Sequence, residues 1–206
     1  AVAKAAMDSG VARRPIQDWK AYRQHLRELM GQESKFTQNL YDTARMNPKR
    51  VVFAEGTHPT MLEAAVKAKA EGICHPVLLG NEDQIRHMAE EMDLKISDIE
   101  ILNLRNDDQT DRRRRYAEIL ANKMQRKGYT LQEAIDKMYE RNYFGMMMVE
   151  TGEADAFITG LYTKYSNTIK VANEVIGIRE GYNHFATMHL VNSKKGIYFI
   201  ADTLIN

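Results

Sequence analysis

Short apolar runs alternate with amphipathic helical patterns through the middle of this chain. Within each helical pattern, apolar residues recur every three or four positions, which is the spacing of a helix that buries one face. The apolar runs are typical of buried strands, and they read VVFA (51–54), VLLG (77–80), IEILNL (99–104) and AFI (156–158). Strands that alternate with helices form parallel sheets with helices on their faces. We therefore predict an α/β fold with a mostly parallel sheet.

The pattern also predicts where the individual helices lie. An N-terminal helix covers 1–6, a linker follows at Arg13-Arg14-Pro15, and a second helix runs from about Asp18 to Gly31. Asn81 is the expected N-cap of one later helix, and Thr130 with Glu133 forms the capping box of another. Further helices are predicted at 37–49, 59–70, 81–92, 111–127, from Thr130 onward, 141–151 and from about Ser166.

The last part of the chain carries a strand pattern of a different kind. HFATMHLV (184–191) and IYFIAD (197–202) flank the turn-forming segment NSKKG (192–196). Two apolar runs separated by a short glycine-containing segment indicate a β-hairpin, here with a five-residue loop. We expect this antiparallel element to begin a second sheet. Because the chain starts within a helical pattern and without Met, we also expect it to be a piece of a longer polypeptide.

The composition limits the classes of function. The 206 residues are 44% hydrophobic and carry a formal net charge of +1, so we expect no nucleic-acid partner. No apolar stretch approaches the ~20 residues that span a bilayer, and no signal peptide precedes the helices, so we expect no membrane partner. The single cysteine, Cys74, excludes an intrachain disulfide and favours a cytoplasmic location. It is interpreted as a buried or strand-edge thiol. The scattered histidines predict no metal site.

Hydrogen-bonding side chains are concentrated in the loop that follows the last predicted strand of the sheet. A strand that leads into Thr159-Gly160 and then into a helix directs backbone N–H groups and the helix dipole at one place. This arrangement favours binding of phosphate or a similar anion. A simple strand–helix connection with polar caps remains the alternative, because no established phosphate-binding spacing is present. The candidate ligands are Thr159, Gly160, Thr163, Lys164, Tyr165, Ser166, Asn167 and Lys170.

A second candidate group follows the first predicted strand. Glu55 and Gly56 end that strand on the same sheet edge as the loop at Thr159, and His58 comes two residues later. Glycine there permits a tight turn or a close ligand. Glu55 and His58 suit acid–base chemistry. The alternative is an ion-paired rim carboxylate and a histidine at a helix entry.

Two further runs of similar residues have simpler interpretations. Arg112 to Arg115 are four consecutive arginines that surround a helix, which favours a solvated, salt-bridged helix with Asp107, Asp108 and Asp111 nearby. A basic rim beside a phosphate-bearing ligand or a subunit interface is the alternative. Met146 to Met148 predict a buried helix, because methionine fills irregular gaps in a core.

Several of these segments, taken in chain order, resemble the phosphate acetyl/butyryl transferase family, in the form that is fused behind malic enzymes in bacteria. The opening residues 1–29 are similar to the last helix of a malic enzyme's nucleotide-binding domain followed by a connecting helix. The resemblance covers nearly the whole chain. It rests on RVVFAEG (50–56), GICHPVLLGN (72–81), GEADAFITG (152–160) and FIADTLIN (199–206).

The resemblance implies a three-layer α/β/α, phosphotransacetylase-like fold and three regions. Residues 1–36 would end the nucleotide-binding domain and connect it, 37–183 would form the first transferase-like domain, and 184–206 would begin a second α/β domain. Family members hold phosphate or acetyl phosphate beside a loop of the form S-G-x-x-H-[ST]-x-A-[DE]-x-x-R.

The phosphate loop of this chain departs from the family form at positions that matter for chemistry. Thr163 stands where the family has histidine, and Lys170 replaces the arginine. A lysine is a point charge that cannot form the two parallel bonds of a guanidinium with phosphate. Thr57-His58-Pro59-Thr60 also replaces the family's acidic and basic cluster. The catalytic Asp, Ser and Arg of the family are expected beyond Asn206, so no catalytic residue is assigned here.

We therefore expect a regulatory module of an NADP-dependent malic enzyme that senses acetyl-CoA and performs no acyl transfer of its own. The resemblance implies acetyl-CoA, acetyl phosphate or phosphate as ligand. It places NADP and a divalent metal in malic enzyme residues outside this chain, and it implies a homo-oligomer. An active phosphate acetyltransferase is the alternative, and an oligomerisation platform with exposed Met and Tyr residues is a third possibility.

Overall fold

A four-stranded parallel sheet organises the larger of two compact units. In the computed structural model of the chain, residues 2–12, 14–29, 35–193 and 196–201 are described. One unit comprises residues 43–185, and the other comprises 1–42 together with 186–206. The strands of the parallel sheet are β1 (Lys49–Phe53), β2 (Cys74–Leu79), β3 (Glu100–Leu102) and β4 (Ala156–Ile158).

The sheet has the strand order β3-β2-β1-β4, and every neighbouring pair is parallel. Val52 of β1 lies opposite Val77 of β2 and Phe157 of β4. The carboxyl ends of all four strands therefore meet at one edge. The predicted mostly parallel sheet is confirmed.

Helices lie before, between and after these strands along the chain. The observed bounds agree with the predicted helices except at the ends: the helix expected at 37–49 stops at Met46, and the last turn expected at 111–127 is a separate 3₁₀ turn, Gln125–Lys127. The helices are α1 (Val2–Asp8), α2 (Trp19–Leu29), α3 (Lys35–Met46), α4 (Pro59–Ala70), α5 (Glu82–Glu91), α6 (Thr110–Met124), α7 (Leu131–Lys137), α8 (Arg141–Glu150) and α9 (Tyr165–Val175).

Local sequence signals account for several helix starts. Asn81 Oδ1 accepts a hydrogen bond from the Gln84 amide at 2.9 Å and caps α5, as predicted. Thr130 and Glu133 form the predicted capping box of α7. The predicted helix from Asp18 to Gly31 is observed as α2 as far as Leu29, and Gly31 lies outside the described residues.

The sheet separates two hydrophobic cores because successive strand residues face opposite sides. Val52 and Val77 pack with apolar residues of α6, α7, α8 and α9, whereas the neighbouring Phe53 and Leu78 pack with α4 and α5. Helices on both faces give the three-layer α/β/α arrangement. The three consecutive methionines of α8 are buried, which confirms their interpretation as core residues.

The smaller unit contains α1, α2, residues 35–42 of α3 and a β-hairpin. The hairpin strands are β5 (Met188–Ser193) and β6 (Gly196–Ala201), and they pair antiparallel. The hairpin is confirmed, but the predicted five-residue loop is wrong because Ser193 already pairs with Gly196. Asn192 Nδ2 donates a hydrogen bond to Thr37 Oγ1 at 2.8 Å. In the described part of the chain, no helix combines the length and apolar character required for a membrane span. The predicted division at 36/37 and 183/184 stays a prediction.

Candidate functional site

A cavity of about 660 Å³ opens at the carboxyl ends of the parallel strands. In parallel sheets, ligands bind at this edge because loops and helix N-termini converge there. Its walls come from the segments that follow β1, β2 and β3, from the end of α7 and the segment after it, from the start of α8, and from α9 with the residues before it. The lining residues are Thr57, Gly80, Asn81, Gln84, Asn103, Leu104, Arg105, Lys137, Tyr139, Glu140, Arg141, Asn142, Tyr143, Thr163, Asn167, Lys170 and Val171.

The charges around this cavity are predominantly positive. Arg105, Lys137, Arg141 and Lys170 line it, and among the described lining residues Glu140 is the one carboxylate. Arg105 and Lys170 are exposed and form no ion pair within the described residues. Cationic side chains with amide and hydroxyl neighbours suit a ligand that carries phosphate groups.

A network of buried polar groups lies below the cationic wall. Glu174 Oε2 accepts hydrogen bonds from the hydroxyls of Tyr129 at 2.7 Å and Tyr143 at 2.5 Å, and Lys137 Nζ donates to Tyr143 Oη at 3.1 Å. Burial alone would raise the pKa of Glu174, but the two tyrosine hydroxyls with Lys137 and Lys170 hold this pKa below its ordinary value. Burial and the Glu174 carboxylate raise the pKa of Tyr129 to about 12. The carboxylate therefore holds Lys137 and Tyr143 in place as part of the wall.

The loop between β4 and α9 directs its backbone N–H groups at a carboxylate of the chain itself. The amides of Gly160 and Leu161 donate to Glu55 Oε2 at 3.1 and 3.0 Å, and the amide of Tyr162 donates to Glu55 Oε1 at 2.8 Å. The predicted convergence of amide hydrogens on a negative charge is thus present. The acceptor of the Gly160 hydrogen bond is Glu55 rather than a ligand. Whether Gly160 also contacts a ligand stays a prediction.

Glu55 is fully buried, so its interpretation as a rim residue is wrong. Burial acts to raise its pKa, but the three backbone donors and the charge of Arg141 outweigh that effect and lower the pKa below the ordinary 4.5. A carboxylate held in its charged form by three donors is a weak proton acceptor. Among the described residues, no hydrogen bond joins the side chains of Glu55 and His58. His58 Nδ1 instead accepts the Thr60 amide at 3.2 Å and caps α4.

The predicted loop residues fall into two groups. Thr163, Asn167 and Lys170 line the cavity. Lys164, Tyr165 and Ser166 are exposed at the start of α9 and do not line it. Thr159 Oγ1 donates to Asn142 Oδ1 at 3.1 Å rather than facing the cavity. Whether any of them binds phosphate stays a prediction.

Gly56 has a structural role rather than a contact with the cavity. Its amide donates to Leu79 O at 3.0 Å, and an added Cβ would lie 2.9 Å from that oxygen. The close approach of the backbone after β1 to the end of β2 therefore requires glycine. The His58 amide also donates to Glu55 O at 2.9 Å, so Gly56 lies in the predicted tight turn.

Cavity residues that the sequence analysis missed follow β3, end α7 or begin α8. Arg105 follows β3, and Arg141 and Asn142 begin α8. Asn103 and Arg105 lie at the end of a strand that the sequence predicts. This position could have identified them as residues of the ligand-binding edge. The α8 residues gave no such signal, because their place beside β4 depends on how α8 packs.

The arginine run divides between the surface and the interior. Arg112 and Arg115 pair with Glu153, and Arg114 pairs with Glu118, which confirms the salt-bridged helix for three of them. Their partners are these glutamates rather than the nearby aspartates. The prediction of a solvated, salt-bridged side chain is wrong for Arg113, which is only 4% exposed. Its guanidinium donates to Leu104 O, to Asn106 O at 2.8 Å and to Thr110 Oγ1 at 2.8 Å.

The lowered pKa of Glu55 predicts a specific pH dependence of stability. Its ionised form contributes stability above the unfolded-state value near 4.5, and this contribution is lost as the pH falls through the lower folded-state value. We expect the free energy of unfolding to fall in that acidic window, and Glu55→Gln to fall less steeply. Urea unfolding at a series of pH values measures both slopes. Equal slopes would contradict the prediction.

Comparison with known proteins places the chain in a family. The family described as "Phosphate acetyl/butaryl transferase" matches residues 35–206, and the chain belongs to this family. The resemblance inferred from the sequence is thereby confirmed.

Individual relatives are of two kinds. The NADP-dependent malic enzymes of Salmonella typhimurium and Escherichia coli are 36% and 35% identical over 210 residues, covering all of this chain and 27% of each enzyme. The phosphate acetyltransferase of Thermoanaerobacterium thermosaccharolyticum is 32% identical over 175 residues, covering 82% of this chain and 52% of that protein. The chain thus spans about a quarter of the length of the matched malic enzymes.

A solved structure supports the fold. A phosphotransacetylase from Staphylococcus aureus superposes with a TM-score of 0.69 at 22% identity, covering 82% of this chain and 51% of that one. At this identity the likeness concerns the fold alone.

Proposed function

We propose that this chain is a regulatory module that binds a phosphate-bearing acyl-CoA, such as acetyl-CoA, without turnover of its own. The observation that carries the proposal is the cavity at the carboxyl ends of the strands, whose described lining includes four cationic side chains and one carboxylate. Coenzyme A carries several phosphate groups, so this excess of positive charge matches its chemistry. Acetyl phosphate and inorganic phosphate share that chemistry and are the smaller candidate ligands.

Two features favour binding over catalysis. Thr163 and Lys170 stand where the family loop carries histidine and arginine, so the cavity has neither that proton-transferring group nor a bidentate phosphate clamp at these positions. The loop amides that face an anion are bonded to Glu55 and do not contact the cavity. An enzyme stabilises developing negative charge with such donors, and here they stabilise a permanent internal charge.

The match to malic enzymes over the whole chain extends the proposal to the longer protein. In that protein, NADP and a divalent metal would serve malate oxidation in residues outside this chain, and the cavity ligand would change the rate of that reaction. Self-association and a cytoplasmic location also stay predictions.

Substitution of the cavity cations tests the proposal. We expect Lys170→Ala and Arg105→Ala each to weaken acetyl-CoA and phosphate binding by about three- to tenfold, because each removes one exposed charge that faces the ligand. Isothermal titration calorimetry measures the affinities. Lys164→Ala is the matched control, since Lys164 lies on the same helix end but outside the cavity. Wild-type protein that binds neither ligand, or equal losses in all three variants, would contradict the proposal.

An active phosphate acetyltransferase is the second candidate, because one relative over 82% of the chain carries that name. To test this candidate, the intact protein would be assayed for CoA-dependent formation of a thioester from acetyl phosphate. Turnover above background that is sensitive to Lys170→Ala would favour this alternative over the regulatory module.

A further inference from the structure

Glu55 connects two neighbouring strands of the sheet at the edge where the cavity opens. Phe53 of β1 lies opposite Ile158 of β4, and the Ala54 amide extends that pairing with a 3.0 Å bond to Ile158 O. The next side chain, Glu55, then reaches three successive amides of the loop that follows β4. Successive N–H groups that surround one anion form a backbone nest, and the anion here comes from within the chain.

Few other interactions fix this loop. Leu161 is 47% exposed and Tyr162 56% exposed, so apolar burial contributes little to their placement. An added Cβ at Gly160 would meet nothing within 4 Å, and the Lys164 side chain makes no capping bond to α9. Beyond the Thr159–Asn142 bond, the Glu55 carboxylate provides the main polar anchor of the loop.

The loop in turn shapes the cavity wall. The Tyr162 ring packs edge-to-face on His58 at 5.1 Å, and the Arg141 guanidinium lies 5.4 Å from the centre of the same ring. Arg141 and Thr163, the residue after Tyr162, both line the cavity. Displacement of the loop would therefore move the Thr163 hydroxyl and would remove the ring that Arg141 contacts.

We propose that Glu55 is a positioning residue: it serves as the internal anion of the Gly160–Tyr162 nest and thereby places Arg141 and Thr163 for an anionic ligand that binds side chains rather than these amides. A ligand that binds in the cavity leaves the Glu55 bonds intact. Only the readout of ligand binding rests on the function proposed above.

Amide hydrogen exchange in the full chain tests the inference without a ligand. In Glu55→Ala we expect the amides of residues 160–162 to exchange about tenfold faster or more, because the acceptor of all three is lost. Added formate, which supplies a free carboxylate, is expected to restore their protection, whereas chloride at equal ionic strength is not. If added formate fails to restore the protection of these amides, the inference is overturned.

Two further variants separate positioning from general destabilisation. Glu153→Ala removes a carboxylate that pairs with Arg112 and Arg115 away from this loop, so it should leave exchange at 160–162 unchanged and insensitive to formate. Glu55→Gln keeps the side-chain size and one acceptor oxygen, and we expect intermediate protection. This variant also decides the matter where Glu55→Ala does not fold. Full protection of the 160–162 amides in Glu55→Gln would show that the loop does not need a carboxylate, and this would overturn the inference.

Titration with inorganic phosphate adds the functional readout. We expect phosphate to bind Glu55→Ala more weakly than wild type by about threefold or more, and formate to recover part of this loss. Phosphate binding that improves in Glu55→Ala would overturn the inference, because the nest would then be a ligand site that Glu55 blocks. If wild type binds no phosphate while the exchange results hold, the proposed function fails and the role of Glu55 in the loop stands.

Discussion

Arg113→Met is expected to lower the free energy of unfolding by about 2–4 kcal/mol, although the residue lies in a run of charged side chains. The guanidinium is buried, donates to two backbone carbonyls and to the Thr110 hydroxyl, and lies 4.7 Å from the centre of the Tyr139 ring. Methionine keeps the length and apolar packing but leaves the acceptors without donors. Leu104 and Tyr139 line the cavity, so ligand affinity should fall as well.

The neighbouring residue supplies the control. Arg114 has 71% of its side chain exposed and forms one ion pair with Glu118. Arg114→Met should therefore change stability by no more than about 0.5 kcal/mol. Urea unfolding of both variants measures the difference. Similar losses for the two substitutions would show that the buried hydrogen bonds of Arg113 contribute little to stability.

Gly56→Ala is expected to cost about 2–4 kcal/mol, because the new methyl group would lie 2.9 Å from the Leu79 carbonyl oxygen and 2.9 Å from Ile85 Cδ1. The isoleucine end can rotate, but the carbonyl belongs to the sheet. The backbone must therefore shift at the residue that follows Glu55, and the loop anchored by Glu55 should shift with it. Thermal and urea unfolding report the loss of stability.

A second glycine distinguishes steric overlap from backbone conformation. Gly128 has a φ of +82°, and an added Cβ there meets nothing within 4 Å. Gly128→Ala should cost about 1 kcal/mol from the left-handed conformation alone. A Gly56→Ala variant as stable as wild type would show that β1 and β2 can separate at this edge without penalty.

The sequence predicted the scaffold well because the positions of strands and helices along the chain depend on local signals. Apolar runs, the Asn81 cap and the Thr130 capping box each depend on neighbouring residues, and each is found as predicted. The hairpin was also predicted, although its loop is shorter because turn residues such as Asn192 can continue a strand.

The site was predicted less well because its contacts are distant in sequence. The donor-rich loop after β4 was recognised, but its acceptor, Glu55, lies more than 100 residues earlier. The sequence alone cannot show that the carboxylate of one candidate group accepts the hydrogen bonds of the other. Arg113 is similar, since four adjacent arginines look alike in sequence, and only the position of the loop at Leu104 determines which of them is buried.

The single cysteine lies at the start of β2, on the α4 and α5 side of the sheet. Burial raises the pKa of the Cys74 thiol, and the nearby Lys69 offsets this only in part, so the reactive thiolate is scarce in the folded protein. We therefore expect thiol-specific labelling to require a local opening of the protein around the start of β2. The rate at which Cys74 is labelled would therefore report how often the protein opens around the start of this interior strand.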